Sequence, residues 1–146
     1  MSDSRRVRAQ RRVLGFDFGS RRIGVAFGQE ASGTARPLQT LRADSRATWD
    51  EIGTLIEAWA PDLFVVGLPL GAGGLPTPTT RSVQRFIRRL SGRYGLPVET
   101  VDERLSSHEA EGRVRNAREH RAAGGLDALS ACVIVEDWLR QDGMQS

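Results

Sequence analysis

Apolar positions change their period several times along this chain, and each change marks an element. Residues 13–18 (Val-Leu-Gly-Phe-Asp-Phe) and 22–28 (Arg-Ile-Gly-Val-Ala-Phe-Gly) are short β-prone runs. Gly19-Ser20-Arg21 between them predicts an antiparallel hairpin, and a third strand is expected over 35–41. From Thr48 onward the apolar residues Ile52, Leu55, Ile56 and Trp59 recur with helical spacing, and Pro61 follows the end of the run. Residues 62–67 (Asp-Leu-Phe-Val-Val-Gly) are then almost continuously apolar, as in a parallel strand covered on both faces.

Residues 70–79 are rich in Gly and Pro and predict a mobile loop. The helical period returns over 80–94, with Val83, Phe86, Ile87, Leu90 and Tyr94 on one face and Arg81, Arg85 and Arg88 on the other. Pro97 opens a strand that ends at Asp102-Glu103. Ser106-Ser107-His108-Glu109 has capping-box spacing, so a helix is expected to start there. Gly124-Gly125 breaks it, and a last helix starts at Asp127 and runs through Leu129, Val133, Ile134 and Trp138. A hairpin followed by βαβ units predicts a mixed sheet of five strands with helices on both faces, an α/β architecture.

The chain's 146 residues suit one domain and leave no room for two. That domain is placed at 13–140, between a flexible Arg-rich tail (1–12) and a C-terminal tail (141–146). With 39% hydrophobic and 27% charged residues, the composition is that of a globular protein. The net charge is only +3, but every basic residue is arginine. Arginine suits bidentate phosphate contacts, although a GC-rich genome produces the same bias. Cys132 is the only cysteine, which excludes an internal disulfide and a cysteine zinc site, and it reads as inert packing. No stretch approaches a membrane span, and the Arg-rich start lacks the apolar core of a signal peptide. A cytoplasmic, reduced protein with no membrane partner is expected.

Three acidic positions alter this ordinary picture. Asp17 interrupts an apolar strand, where an ionised carboxylate costs several kcal/mol (~) unless compensated. Asp102-Glu103 ends another strand, and Asp127 stands at a helix start. Carboxylates gathered from distant segments can be held by a divalent cation, and paired cations catalyse phosphodiester cleavage, so a metal-dependent nuclease is the leading reading. Each position also has a plainer role. Asp17 could shape the hairpin turn, and Asp127 could cap its helix. Asp102 and Glu103 cannot both face Asp17 if the strand continues. Glu103, with its longer reach, is the preferred partner, and Asp102 is the second choice.

Four motifs in order carry a family resemblance. They are Phe16-Asp17-Phe18-Gly19 with Arg22-Ile23-Gly24-Val25-Ala26, then Val65-Val66-Gly67-Leu68-Pro69-Leu70, then Asp102-Glu103-Arg104-Leu105-Ser106 with Glu109-Ala110, and finally Leu126-Asp127-Ala128-Leu129-Ser130-Ala131 running to Trp138-Leu139. Over roughly residues 13–140 the chain resembles the YqgF/RuvX family of small RNase H-like proteins. Those proteins are described as Holliday-junction resolvases and as nucleases maturing the 5′ end of pre-16S rRNA. It departs from the family pattern at Gly71-Ala72-Gly73-Gly74, where a polar stretch is usual, and at Gly124-Gly125, where a basic residue often precedes the final Asp.

The resemblance implies an RNase H-like three-layer fold with Asp17 as the central metal-bridging residue. It turns Asp127 from a cap into the third carboxylate. Asp17, Glu103 and Asp127 would then hold two Mg²⁺ or Mn²⁺ ions, and hydrolysis would leave a 5′-phosphate and a 3′-hydroxyl. Arg21, Arg22, Arg104 and the stripe Arg81, Arg85, Arg88 are candidate nucleic-acid contacts, each of which could instead be a solvated or charge-neutralising arginine. His108 reads as a surface residue, and residues 71–74 lack the ending of a P-loop. The expected partner is RNA or branched DNA, with a homodimer if the substrate is a four-way junction. Two other classes compete. One is a nucleic-acid-binding module without catalysis. The other is an actin-like ATPase, whose phosphate loop the first motif resembles but whose second domain has no room here.

Overall fold

The computed structural model describes residues 10–103 and 125–145, with side chains described as far as residue 141. β1 (Arg12–Phe18) and β2 (Arg22–Gln29) form the expected hairpin, in which Asp17 lies opposite Gly24. β3 (Thr34–Arg42) extends it in antiparallel fashion, with a bulge beside Pro37. α1 (Arg46–Trp59) then crosses over, and β4 (Leu63–Leu68) returns parallel to β1. α2 (Pro78–Tyr94) leads to β5 (Val98–Asp102), parallel to β4, and α3 (Gly125–Gln145) is the last described helix. The five strands stand in the order β3-β2-β1-β4-β5, a mixed sheet between two helical layers. The helix expected from Ser106, together with Arg104, His108 and Gly124, lies outside the described residues.

Strand alternation divides the interior into two cores. Leu14, Phe16, Ile23, Val25, Phe27, Phe64 and Val66 face α1 and α2, where Trp49, Ile52, Val83, Phe86 and Leu90 meet them. Phe16 sits edge-on to both Phe64 and Phe86, with ring centroids 5.6 Å apart in each pair. Val13, Ala26, Leu63, Val65 and Val101 face the other way, against Ala131, Ile134, Val135 and Trp138 of α3. Burying each large side chain contributes roughly 1.5–3 kcal/mol. Cys132 is buried in the second core, as its apolar neighbours imply.

Both crossover helices begin two residues before the apolar period does, because polar caps set their starts. Ser45 accepts a hydrogen bond from the Ala47 amide at the start of α1. Thr77 and Thr80 form a reciprocal capping box around Pro78 at the start of α2. Thr80 is fully buried and also donates to the Pro69 carbonyl, so it ties the Gly-Pro segment back to β4. That segment, expected as a featureless loop, contains a 3₁₀ turn over Ala72–Gly74 closed by the Gly71 amide on the Leu75 carbonyl at 2.8 Å. Thr80→Val keeps the volume but strands the Pro69 carbonyl and the Thr77 amide. It should cost about 1–3 kcal/mol in urea denaturation.

Ordered structure continues past the expected limits at both ends. Arg11 is not part of a tail: its amide and guanidinium bond to Glu30 at 2.9–3.0 Å, and its guanidinium lies 5.1 Å over the Trp138 ring. These contacts anchor the chain just before β1. At the other end, α3 continues to Gln145, because no proline interrupts the residues after 140. No described helix is long and apolar enough to cross a membrane.

Candidate functional site

Alternation along β1 sends Leu14 and Phe16 toward α1 and α2, so Val13, Gly15 and Asp17 point toward α3. The α3 face of the sheet is paved with small residues, and the helix lies very close to it. A Cβ placed on Gly24 would come within 1.8 Å of the Asp127 carbonyl oxygen, so the first turn of α3 rests on bare backbone beside Asp17. On β4, a Cβ on Gly67 would lie 2.5 Å from the Glu103 Oε1. Two glycines therefore provide the room in which acidic side chains from β1, β5 and α3 approach one another.

The choice between Asp102 and Glu103 also follows from the strand. Glu99 accepts a hydrogen bond of 2.8 Å from the Trp138 indole on α3, and Val101 is buried in the same core. Glu103 continues that side and shares a hydrogen bond with Asp17. The Asp102 charge raises Glu103 further, as the smallest of the four causes. The structure thus brings Asp17 and Glu103 into contact and places Asp127 within Coulombic range of Asp17.

Burial pushes the Asp17 carboxyl above its ordinary value. The Glu103 hydrogen bond pulls it back, and the Asp127 charge raises it again. Glu103 is raised from 4.5 to about 7, first by burial, then by the Asp17 charge, their shared hydrogen bond and the Asp102 charge. Both carboxyls are therefore shifted toward the protonated form while they share a hydrogen bond. Between pH 4.5 and about 7 the folded chain holds a proton that the unfolded chain has released, so this pair's contribution to stability falls as pH rises through that window. Discounted for partial exposure, the loss is about 2 kcal/mol. It should appear in EDTA as a fall in unfolding free energy between about pH 5 and 8, larger for the wild type than for Asp17→Asn.

The arginine expectations divide. Arg22 reaches Asp127, with Nε 3.1 Å from Oδ2. Both side chains are substantially exposed, so the pair is a weak tether. Arg21 is exposed at the hairpin turn, and Arg104 lies outside the described residues. The stripe on α2 does not act as one unit: Arg81 and Arg88 are simply exposed, whereas Arg85 lines a cavity beside Gly19 and Ser20. Sequence reasoning missed Arg89 and Arg93, which lie over the Trp49 ring. The spacing 85, 89, 93 is itself a helical stripe, and that signal could have found them.

The donors around Asp17 are carboxylate oxygens, the ligands that hard divalent cations select. Two of them are hydrogen-bonded to each other, and burial together with neighbouring carboxylate charge disfavours their ionised forms. A cation among them would offset that cost, so the donor chemistry fits such an ion. Among the described residues, no three or more His, Cys, Asp or Glu side chains are gathered into a group that could hold a metal ion.

Comparison with known proteins bears on the family and the fold. Residues 11–141 match the RuvX family, described as Holliday junction resolvase. A protein of Glaesserella parasuis serovar 5, provisionally named a pre-16S rRNA nuclease, is 46% identical over 132 residues, covering 88% of this chain and 96% of its own. A protein of Azotobacter vinelandii with the same provisional name is 44% identical over 134 residues, covering 90% and 94%. Among solved structures, Thermus thermophilus RuvC bound to a Holliday junction superimposes with a TM-score of 0.56 at 14% identity, covering 92% of this chain and 95% of that one. The yeast mitochondrial resolvase Ydc2 gives 0.54 at 12% identity, covering 96% and 82%. At such identities the likeness is one of fold, and the fold is the RNase H-like three-layer arrangement.

Proposed function

The chain belongs to the RuvX family, and from that premise we propose that it is a divalent-metal-dependent endonuclease maturing the 5′ end of pre-16S rRNA in the cytoplasm. The observation that carries the chemistry is the hydrogen-bonded contact of Asp17 and Glu103, with the Asp127 charge acting on Asp17. The provisional names of relatives up to 46% identical carry the choice of substrate.

Asp17, Glu103 and Asp127 are the residues that would hold Mg²⁺ or Mn²⁺, and Asp102 stays outside the set. When bound, the ions supply a water-derived nucleophile at neutral pH and offset charge at the phosphate, as paired cations do in nucleases. The protein's own part is positional. Gly24 and Gly67 let the acidic side chains approach, and the small-residue floor fixes the first turn of α3 against the sheet. Arg22 holds Asp127 in the free protein. Were Asp127 to hold a cation, the Arg22 guanidinium paired with it here would be available to grip the scissile phosphate, as Arg21 would. Cleavage leaves a 5′-phosphate and a 3′-hydroxyl.

The test is cleavage of an end-labelled RNA carrying a pre-16S 5′ leader, alongside a four-way DNA junction, in Mg²⁺, in Mn²⁺ and in EDTA. Metal-dependent cutting of the RNA supports the proposal. Cutting of the junction alone, by a dimer in solution, would transfer the activity to resolution of DNA branches. Binding without cutting of either would leave a non-catalytic nucleic-acid module. Metal binding has its own readout: either ion should restore the stability that the wild type loses at pH 8 (about) in EDTA.

A further inference from the structure

Behind β1, on the side facing α1 and α2, two cavities join into a groove. One, of about 470 Å³, opens at Phe18, Gly19 and Ser20, directly after Asp17, and extends to Arg85 and Arg89. The other, of about 610 Å³, lies between the start of α1 and the end of α2 and is lined by Asp44, Arg46, Asp50, Arg89 and Arg93. They share Ala43, Trp49 and Arg89, so the groove is continuous from the hairpin turn to the far end of α2.

Trp49 organises the charges along it. The indole is buried, packed on Phe86 at 5.7 Å, and its backbone carbonyl accepts a hydrogen bond from the Tyr94 hydroxyl. The Arg89 and Arg93 guanidiniums lie 4.7 and 5.0 Å from the ring centroid. A guanidinium stacked on an indole keeps its in-plane N–H donors free for an anion, and its side-chain entropy is already reduced. Four arginines (Arg46, Arg85, Arg89, Arg93) face two aspartates (Asp44, Asp50) along the groove. Among the described residues, none of the four is within ion-pair distance of an acidic group. Arg46, the first residue of α1, also stands where the helix dipole disfavours a cation. A bound anion would offset both that cost and the excess positive charge.

We propose that this groove binds the phosphodiester backbone of one strand of nucleic acid, the continuation of the strand whose scissile phosphate lies at Asp17. The small Gly19-Ser20 turn is the passage between the two sites, and Arg89 and Arg93, held by Trp49, are the principal phosphate contacts. This assignment rests on the nuclease reading for the identity of the strand, while its test reads binding separately from cutting.

Anisotropy titrations would use fluorescent single-stranded RNAs of about 6 and about 16 nucleotides, lengths that bracket a short and an extended site. They would run at about 50 and 200 mM salt, with wild type, Arg89→Gln/Arg93→Gln and Arg46→Gln. Wild type should bind the longer RNA at least 10-fold (~) tighter than the shorter one. The double variant should lose most of that advantage while binding the short RNA within about 2-fold of wild type. Its log-log salt slope on the long RNA should fall by about 1.4, the value for two single-strand phosphates. Arg46→Gln, which does not touch the Trp49 stack, should shift the long RNA about 3-fold in the same direction and so guards against a folding artefact. In cleavage assays, KM for long RNA should rise with kcat nearly unchanged. No binding by wild type, unchanged long-RNA affinity in the variants, or equal loss on both lengths would each overturn the proposal. Unchanged affinity is also the result expected if an acidic protein segment occupies the groove. If wild type binds RNA but cuts nothing, the nuclease reading fails and these binding comparisons still decide the groove.

Discussion

Asp17→Asn should lower cleavage by at least 10³-fold (~), about 4 kcal/mol of transition-state stabilisation, while leaving the fold intact. The substitution keeps the side chain's size, and its amide can still hydrogen-bond to Glu103. What it removes is the buried negative charge on which a cation would be centred. The same change relieves a buried carboxylate of repulsion, so without metal the variant should be the more stable protein near pH 8 (roughly). Loss of activity combined with gain of stability is the signature of a functional charge held at a cost. Glu103→Gln should be nearly as damaging, whereas Asp102→Asn should stay within about 5-fold of wild type, since the Asp102 charge is the smallest of the influences on Glu103. These rates, measured beside urea denaturation, decide the assignment. An Asp17→Asn protein that cuts at the wild-type rate would end the metal-site reading.

Gly24→Ala is expected to be the most disruptive single methyl group in the domain. Its Cβ would lie 1.8 Å from the Asp127 carbonyl oxygen, 2.2 Å from the Asp127 carbonyl carbon and 2.9 Å from the Ala128 nitrogen. All three are backbone atoms, so no rotamer change relieves the clash, and the start of α3 must lift from β2. The cost should be about 2–4 kcal/mol, at or above the upper end for overpacking. A displacement near 1 Å at Asp127 can also cost about 10²-fold in rate in the molecules that remain folded. Gly92→Ala is the matched control. It lies in α2, where an added Cβ meets nothing within 4 Å, and helix propensity favours alanine there by up to about 1 kcal/mol. Denaturation curves and kcat for the two variants separate a local steric effect from a general intolerance of alanine.

Features carried by periodicity could be read from the chain, whereas features carried by close approach could not. Alternation in Val13-Leu14-Gly15-Phe16-Asp17 gives a strand with its acid on one face, and the structure agrees. The helical period of Ile52, Leu55 and Trp59 locates α1, but its start belongs to Ser45, whose polar cap no apolar count registers. For the pair 102–103, alternation showed only that a choice existed. The choice itself depended on which side of β5 meets α3, a tertiary fact visible through Glu99 and Trp138. Gly24 and Gly67 are silent in sequence, because a glycine's role there is the atom it omits, and the neighbour that needs the space comes from a distant segment. The 85, 89, 93 spacing marks the arginines as one stripe of α2, but their contact with Trp49 joins α2 to α1, and that partner is not written in either helix's spacing.

The proline in β3 has a consequence for how copies of this protein meet. β3 forms one border of the sheet, and Pro37, next to the bulge, lacks the amide hydrogen that an incoming strand would need. That border is therefore a poor template for lateral growth, and storage at high concentration should not seed ribbon-like assemblies from it. Any symmetric pairing required by a branched substrate is expected elsewhere than along β3.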